Sequence, residues 1–416
     1  MKYVDKIIAL LVLLLTLEYT SINGQQITFL TEVDCYKLNQ SLINPENIQL
    51  LPYLSIYGLL RFDHSFKLPA GHFNADIKWL SELSAISDME NHRNKARFCS
   101  VLDPIELYYQ LSKGPFGLLA GRKKVKMGVG YIVSPSDIII QPPSLTDPTD
   151  RFYNIKGSDL LQLSYYTKSG QVDFYYLIDT RQNTRFYFRD NSVALRYYHS
   201  FSPFELSAAV RWGFDGRLQV AANGTVAIGE RLELHTDNMI QARNEMLYPS
   251  PIGMFRSKQG PVFRLLFGGQ WSPVKKVNII FEWVHLSDGY SNREWDDLMQ
   301  MAAIYQRLLN MPVIGISGLW KYVLRSVYPY RDRISKKNYL FIRLFKTDLL
   351  KKVDGGVITY LGLDDMASFN QLALNYRPEA KTSIYLHLEL VPPKSKSSFE
   401  MYDFSQTIRL GIKTKF

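Results

Sequence analysis

Arg122, Lys124 and Lys126 recur at every second position. On an extended strand that spacing sets three cations on one face, in a ladder about 13 Å long at the usual rise per residue. Such a ladder attracts oxyanions, and does so more strongly in a narrow pore than on open surface. Arg196, Arg211, Arg264, Arg343 and Arg409 each stand at a polar position in a segment that otherwise alternates with apolar residues. Guanidinium groups hold carboxylates and phosphates in bidentate fashion, so the eight cations together predict a basic lining that binds anionic solutes. A second reading is equally consistent: inward carboxylates such as Asp173, Asp179 and Glu205 neutralise them, or the ladder lies among lipid head groups.

Patterns that would carry catalysis are missing. Gly128-x-Gly130 lacks the third glycine and the following helix of a dinucleotide site, and no Gly-x-Ser-x-Gly elbow occurs. The seven histidines are scattered, without the spacing that chelates zinc. The expectation is a non-enzyme with no metal and no cofactor. Cys35 and Cys99 are the two cysteines, and in an oxidising compartment they either form a disulfide or remain two free thiols. Asn223-Gly224, part of a glycosylation-like triplet, reads as a tight hairpin turn.

The elements that must position these cations are strands. Aromatic residues make up 13% of the chain, with 27 Tyr and 23 Phe against 6 Trp, while charged residues make up 21%. That is too polar for a helical membrane protein and suits pleated strands with aromatic girdles. Residues 1–24 read as an export signal, with Lys2 and Lys6 before an apolar run from Ile7 to Leu17 that is shorter than the roughly 20 residues a spanning helix needs. The formal charge of +10 in an exported chain points away from nucleic acid and towards lipopolysaccharide or an anionic solute.

Past about residue 50, segments of roughly ten residues alternate apolar and polar between turn residues, the spacing of membrane-spanning strands. In the last of them Ile408, Leu410, Ile412 and Phe416 share one face, and Thr407, Arg409, Gly411 and Lys413 the other. Leu410, Ile412 and Phe416 fit a barrel-assembly signal, although Thr414 stands where an apolar residue is usual. Short turns at Lys168-Ser169-Gly170 and Pro378-Glu379-Ala380 contrast with long connections around 133–157, 237–259 and 287–336. The prediction is an all-β fold: one transmembrane, antiparallel, up-and-down β-barrel of about 14 to 16 strands over residues 25–416. Residues 25–50 are expected as a periplasmic or plug-like lead-in, and Asn292 to Leu309 as a short loop helix.

The most distinctive local text runs from Gly121 to Asp150. It resembles an outer-membrane porin-like family that includes the alginate-export and related porin-type barrels, in which a Gly-Arg-Gln strand leads to Trp-Gly, a Pro-x-Asp turn and a Pro-rich loop. Gly121 and Arg122 match the start, Gly128 the glycine, and Pro135 and Asp137 the turn; Lys123 stands where Gln is usual and Met127 where Trp is usual. The resemblance implies a bacterial outer-membrane barrel. An inward-folded loop over Ser134 to Tyr153, carrying Pro135, Asp137, Asp147 and Arg151, is the expected constriction. A passive pore for small hydrophilic, anionic solutes is the leading expectation. The alternatives are export of an anionic polysaccharide, which the resemblance to alginate export allows, and a closed structural barrel. Expected partners are outer-membrane lipid, lipopolysaccharide and the barrel-assembly machinery. Monomer and trimer fit the sequence equally.

Overall fold

The alternation in sequence becomes a closed sheet. The computed structural model describes residues 25–38, 51–88, 93–131, 133–140, 150–178, 191–244, 246–249, 255–309, 336–392, 399 and 404–416; the expected export signal lies outside them. The strands are β1 (Gln25–Leu38), β2 (Pro52–Leu68), β3 (Gly71–Asp88), β4 (Arg93–Lys113), β5 (Phe116–Lys123), β6 (Ser158–Tyr166), β7 (Gly170–Leu177), β8 (Ser192–Phe201), β9 (Phe204–Gly213), β10 (Leu218–Ile228) and β11 (Leu232–Gln241). A small hairpin of β12 (Leu247–Pro249) and β13 (Phe255–Ser257) stands apart from the main sheet. The sheet continues with β14 (Val262–Trp271), β15 (Val277–Leu286), β16 (Asn338–Leu350), β17 (Val353–Gly362), β18 (Ala367–Tyr376), β19 (Thr382–Leu390) and β20 (Phe404–Lys415). One helix, α1 (Asn292–Leu309), covers the residues expected for it.

The barrel has 18 strands, not 14 to 16. Each is antiparallel to its sequence neighbours, and β1 closes on β20 from Thr28 opposite Lys415 to Leu38 opposite Phe404. Gln25–Leu38 is therefore a wall strand, not a lead-in. Its inward Thr28, Glu32 and Asp34 are buried and polar and alternate with Ile27, Phe29 and Val33, but inward Leu30 and outward Thr31 interrupt the pattern. Asn223-Gly224, expected as a turn, lies inside β10, where Asn223 pairs across to Ser207 and Asp237. Cys35 and Cys99 are free, which corrects the disulfide option. They sit on β1 and β4 with two strands between them, about 14 Å apart at the usual strand spacing and beyond the reach of an S–S bond.

Outward positions carry the apolar residues: Leu195, Leu206, Trp212, Phe267, Leu344 and Leu410 are all exposed. With every strand paired on both sides and an apolar belt outside, the barrel meets the two requirements for spanning a membrane with strands. No described helix is long and apolar enough to cross a membrane. Connections alternate between eight turns of two to five residues on one rim and nine on the other, of which six are long and three have four residues, and both Gln25 and Phe416 lie on the short-turn rim. By the usual asymmetry that rim faces the periplasm. The amide of Phe416 donates to the carbonyl of Ile27 at 2.9 Å, so the last residue finishes the seam.

The helix α1 begins with a reciprocal cap. The Ser291 amide donates to Glu294 Oε2 at 2.9 Å while the Glu294 amide donates to Ser291 Oγ at 3.3 Å. Burial pushes the Glu294 carboxyl up, but the Lys258 ammonium and the Ser291 donors outweigh it and hold the group below the usual carboxylate range. Trp295, Leu298 and Met299 are buried against the loop layer, whereas Ile304 is exposed.

A depth-dependent penalty follows from the outward belt. Leu410→Arg, near the middle of β20, should cost about 2–4 kcal/mol in a folding titration into lipid vesicles, and Gln406→Arg, nearer the outer end, about 0–1 kcal/mol.

Candidate functional site

The loop between β5 and β6 leaves the wall and crosses the interior. The strand β5 stops at Lys123 because Gly121 adopts φ +127°, a backbone conformation open chiefly to glycine, and the chain then turns inwards. This breaks the expected ladder. Arg122 shares its parity with exposed Leu118 and Leu161, points away from the lumen, and is held in a bidentate ion pair by Asp159, with Nη2 to Oδ2 at 2.7 Å. Lys124 and Lys126 are loop residues. Lys124 lies 3.9 Å from Asp150 and donates its amide to Glu106, while Lys126 is exposed. Lys123, which the ladder reading set aside, has the inward parity and lies over the Tyr108 ring at 4.7 Å.

On the far wall the loop backbone is held by carboxylates. Asp237 on β11 accepts the amides of Val129 at 3.0 Å and Ser136 at 2.6 Å, and Glu282 on β15 accepts that of Tyr131 at 2.8 Å. Asp137 closes the turn from within, accepting the amides of Met127 and Gly128 at 2.6 and 2.7 Å. Asn223 donates to the Met127 carbonyl and to Ser136 Oγ, and Arg211 to the Ile138 carbonyl. Hydrogen bonds to charged acceptors contribute about 1.5–3 kcal/mol each, so this wall fixes the turn firmly. Gly128 is required by the approach itself: a Cβ there would lie 2.5 Å from Asp237 Oδ2 and 2.4 Å from Ser134 Cβ. Under the turn the wall is apolar. Val125, Met127, Ile138 and Ile139 bury against Leu119, Leu160, Tyr175 and Leu177, and inward Ala194, Ala209 and Ala221 leave room for them.

The returning half of the loop is bound at the closing seam. Arg151 pairs with Glu32 on β1 at 3.0 Å through Nε, and Tyr385 on β19 donates to the same carboxylate. Lys78 on β3 donates to the Phe152 carbonyl at 2.9 Å and to Asn154 at 2.7 Å. Arg61 on β2 stacks on Tyr153 at 4.1 Å, and Lys413 on β20 donates to its hydroxyl at 2.9 Å. In an 18-stranded ring β10 and β1 are opposite one another. The loop therefore spans a lumen whose backbone diameter is on the order of 35 Å at ordinary strand spacing and tilt.

Of the expected constriction residues, Pro135 is buried in the turn, Asp137 organises it, and Arg151 anchors its return; Asp147 lies outside the described residues. The five single arginines all face inwards, but their surroundings differ. Arg196 approaches Asp173 at 3.9 Å, Arg264 pairs with Asp288 at 2.6 Å, and Arg409 bridges Asp34 and Glu389 across the seam. Arg211 is taken up by the loop. Arg343 lies over the Phe345 ring at 5.1 Å, interacts with Tyr131 and Tyr360, and has no carboxylate partner among the described residues. The lining is thus a mixed wall of ion pairs and apolar patches rather than a uniformly basic one. Glu32, Asp34, Arg61, Lys78, Asp237 and Glu282 were missed by the search for cations. Their signal was present: each is a charged residue at the inward position of an alternating segment.

No protein-family model matches the sequence, and no curated protein matches it. Solved structures do resemble the fold. Pseudomonas aeruginosa OccK5 (OpdH) superposes with a TM-score of 0.54 at 10% identity, covering 94% of this chain and 97% of that one. Acinetobacter baumannii OccAB3 does so at 0.53 and 11%, covering 94% and 98%, and Pseudomonas aeruginosa OpdQ at 0.54 and 9%, also covering 94% and 98%. The likeness extends over the whole barrel and establishes the fold.

If Asp237 holds the turn, Asp237→Ala should leave the barrel folded and heat-modifiable while freeing the loop. Limited trypsin digestion of the refolded protein should then cut at Lys124 or Lys126 at least several times faster than in the parent. An unchanged cleavage rate would mean that the turn is held by its apolar packing alone.

Proposed function

We propose that this chain is an outer-membrane channel through which small hydrophilic solutes diffuse passively, with a preference for anionic ones, and that the loop from Lys124 to Gly157 sets the aperture. The observation that carries the reading is the loop itself, tied to opposite walls by inward side chains and so dividing the lumen at a fixed place. A loop that merely capped the barrel would not need anchors on β1, β3, β11 and β15. The full-length likeness in fold to OccK5 and OccAB3 supports the same reading. Passive diffusion needs no further machinery in the chain, and no recognisable catalytic pattern competes with it.

Anion preference rests on fewer residues than the sequence suggested. Ion pairing neutralises Arg122, Arg151, Arg264 and Arg409, which leaves Arg343, Lys78, Lys123, Lys126 and Lys413 as cations of the lumen and its loop with no carboxylate at ion-pair distance among the described residues. Fixed charge in a water-filled constriction steers ions even when few groups supply it. Arg122, Lys124 and Arg211 drop out of the binding role, the first because it faces outwards and the last because the loop occupies it.

Single-channel recording of the refolded barrel in a planar bilayer tests both parts. Discrete steps with an anion-selective reversal potential under a salt gradient are expected. Arg343→Gln and Lys126→Gln together should lower the anion preference with little change in conductance, and removal of residues 134–149 should raise the conductance itself. A folded barrel that yields no steps would favour the closed structural reading, for which the apolar interior cluster of Tyr339, Phe341, Tyr360 and Phe369 is the relevant feature.

A further inference from the structure

The short-turn rim carries a charge pattern that the channel reading leaves unused. Four of the eight short connections contain an exposed lysine, Lys168, Lys275, Lys351 and Lys381, and two more are preceded within two residues by one, Lys67 and Lys113. None of the six makes an ion pair among the described residues. Of the rim carboxylates, Asp348 and Asp354 are already engaged by Lys276 and Arg377, with Asp348 to Lys276 at 2.7 Å and Asp354 to Arg377 at 2.9 Å. Glu230 and Glu379 lie on the turns that begin β11 and β19, and Glu205 and Glu233 are exposed at the second positions of β9 and β11. The rim is therefore basic, and its positive charge is distributed around most of the circumference rather than gathered on one side.

Its depth is fixed by a second observation. Immediately inside the lysines stands a girdle of outward, exposed aromatics: Phe66 beside Lys67, Phe116 beyond Lys113, Tyr165 before Lys168, Trp271 before Lys275 and Tyr376 before Lys381. Outward aromatic rings on a barrel mark the boundary between hydrocarbon and head groups. A lysine one to five residues beyond that boundary, on a flexible stem, puts its ammonium at the level of the lipid phosphates. Lys113 stands on the outward face with Phe116 and four of the lysines lie on the turns themselves, whereas Lys67 has the inward parity of Arg61 and belongs to the collar by its place beside the turn. A charge that recognised a periplasmic protein would cluster.

We propose that this collar binds the phosphate groups of anionic phospholipids in the inner leaflet, and that phosphatidylglycerol or a lipid of the same charge forms a preferred annulus around the periplasmic rim. The ligand chemistry is a phosphodiester bearing net negative charge. A zwitterionic lipid offers the same phosphate with its own ammonium beside it, which the lysines repel. The collar would hold the barrel at a set depth and orientation without touching the aperture.

The test uses the full-length refolded barrel and a variant with Lys67, Lys113, Lys168, Lys275, Lys351 and Lys381 all changed to Gln, with heat-modifiability confirming that the exposed turns still allow folding. Both are extracted in mild detergent from vesicles containing equal amounts of phosphatidylglycerol and phosphatidylethanolamine, and the lipids that remain bound are counted by native mass spectrometry. The parent should retain phosphatidylglycerol over phosphatidylethanolamine by about fivefold or more, the factor that one lysine beside an anionic lipid surface supplies, and the variant should lose the preference. Equal retention of the two lipids by the parent would overturn the proposal, as would a preference that survives in the variant. Sedimentation with purified peptidoglycan that falls in the variant, while lipid retention does not change, would assign the collar to the cell-wall polymer instead and overturn it equally.

Discussion

A sheet in hydrocarbon cannot leave an edge, because each unpaired N–H or C=O there costs several kcal/mol and finds no water. Closure of β1 on β20 is therefore the constraint from which the other features follow. It brings residues almost four hundred positions apart into register, Thr28 against Lys415, and places Glu32 and Asp34 of β1 beside Tyr385, Glu389 and Arg409 of the last two strands. The seam is thus sealed twice, by its backbone ladder and by a buried polar network on the inward side. Removing one partner from such a network leaves a charge without compensation, which is the costly way for it to fail.

The same seam is where the inward loop finishes. Arg151 enters the network through Glu32, so the aperture and the closure of the barrel share a side chain. On the opposite wall Asp237 and Glu282 hold the turn through its amides, and Gly128 allows the contact. A loop anchored at both ends by charge-assisted bonds, and cushioned by apolar side chains between, has little freedom to swing. Its position is a property of the wall as much as of the loop.

The inner wall is not uniformly polar: one apolar patch, of Tyr339, Phe341, Tyr360 and Phe369, lies on β16 to β18, and the other is the seat of the loop. Where the turn packs, three neighbouring strands present Ala194, Ala209 and Ala221 and the wall around them is apolar, because side chains of the turn need a dry seat. Elsewhere carboxylates and guanidinium groups pair with one another, since isolated charges in a partly desolvated interior are expensive. That pairing is why a count of inward arginines overstated the basic character of the lumen.

Period-two alternation fixed a great deal by itself: the all-β class, the outward face of Leu410 and Ile412, and the inward face of Arg196, Arg211, Arg264, Arg343 and Arg409 were all legible, as was the helix from Asn292 to Leu309 from its 3.6-residue period, because which face a side chain takes is a local property of the backbone. Tertiary structure decided what local pattern cannot carry. The count of 18 strands depended on β1 finding β20, which no local window contains. Lys124 and Lys126 left the predicted ladder because the chain turns inwards after Lys123, whereas Arg122 keeps the outward parity of Leu118 and pairs with Asp159. Asn223-Gly224 has the composition of a turn yet lies within β10, where two flanking strands supply ladder bonds that override the local preference. Charge neutralisation in the lumen, and with it the residues left to meet a solute, was set by pairs such as Arg409 with Asp34 that only the closed barrel brings together.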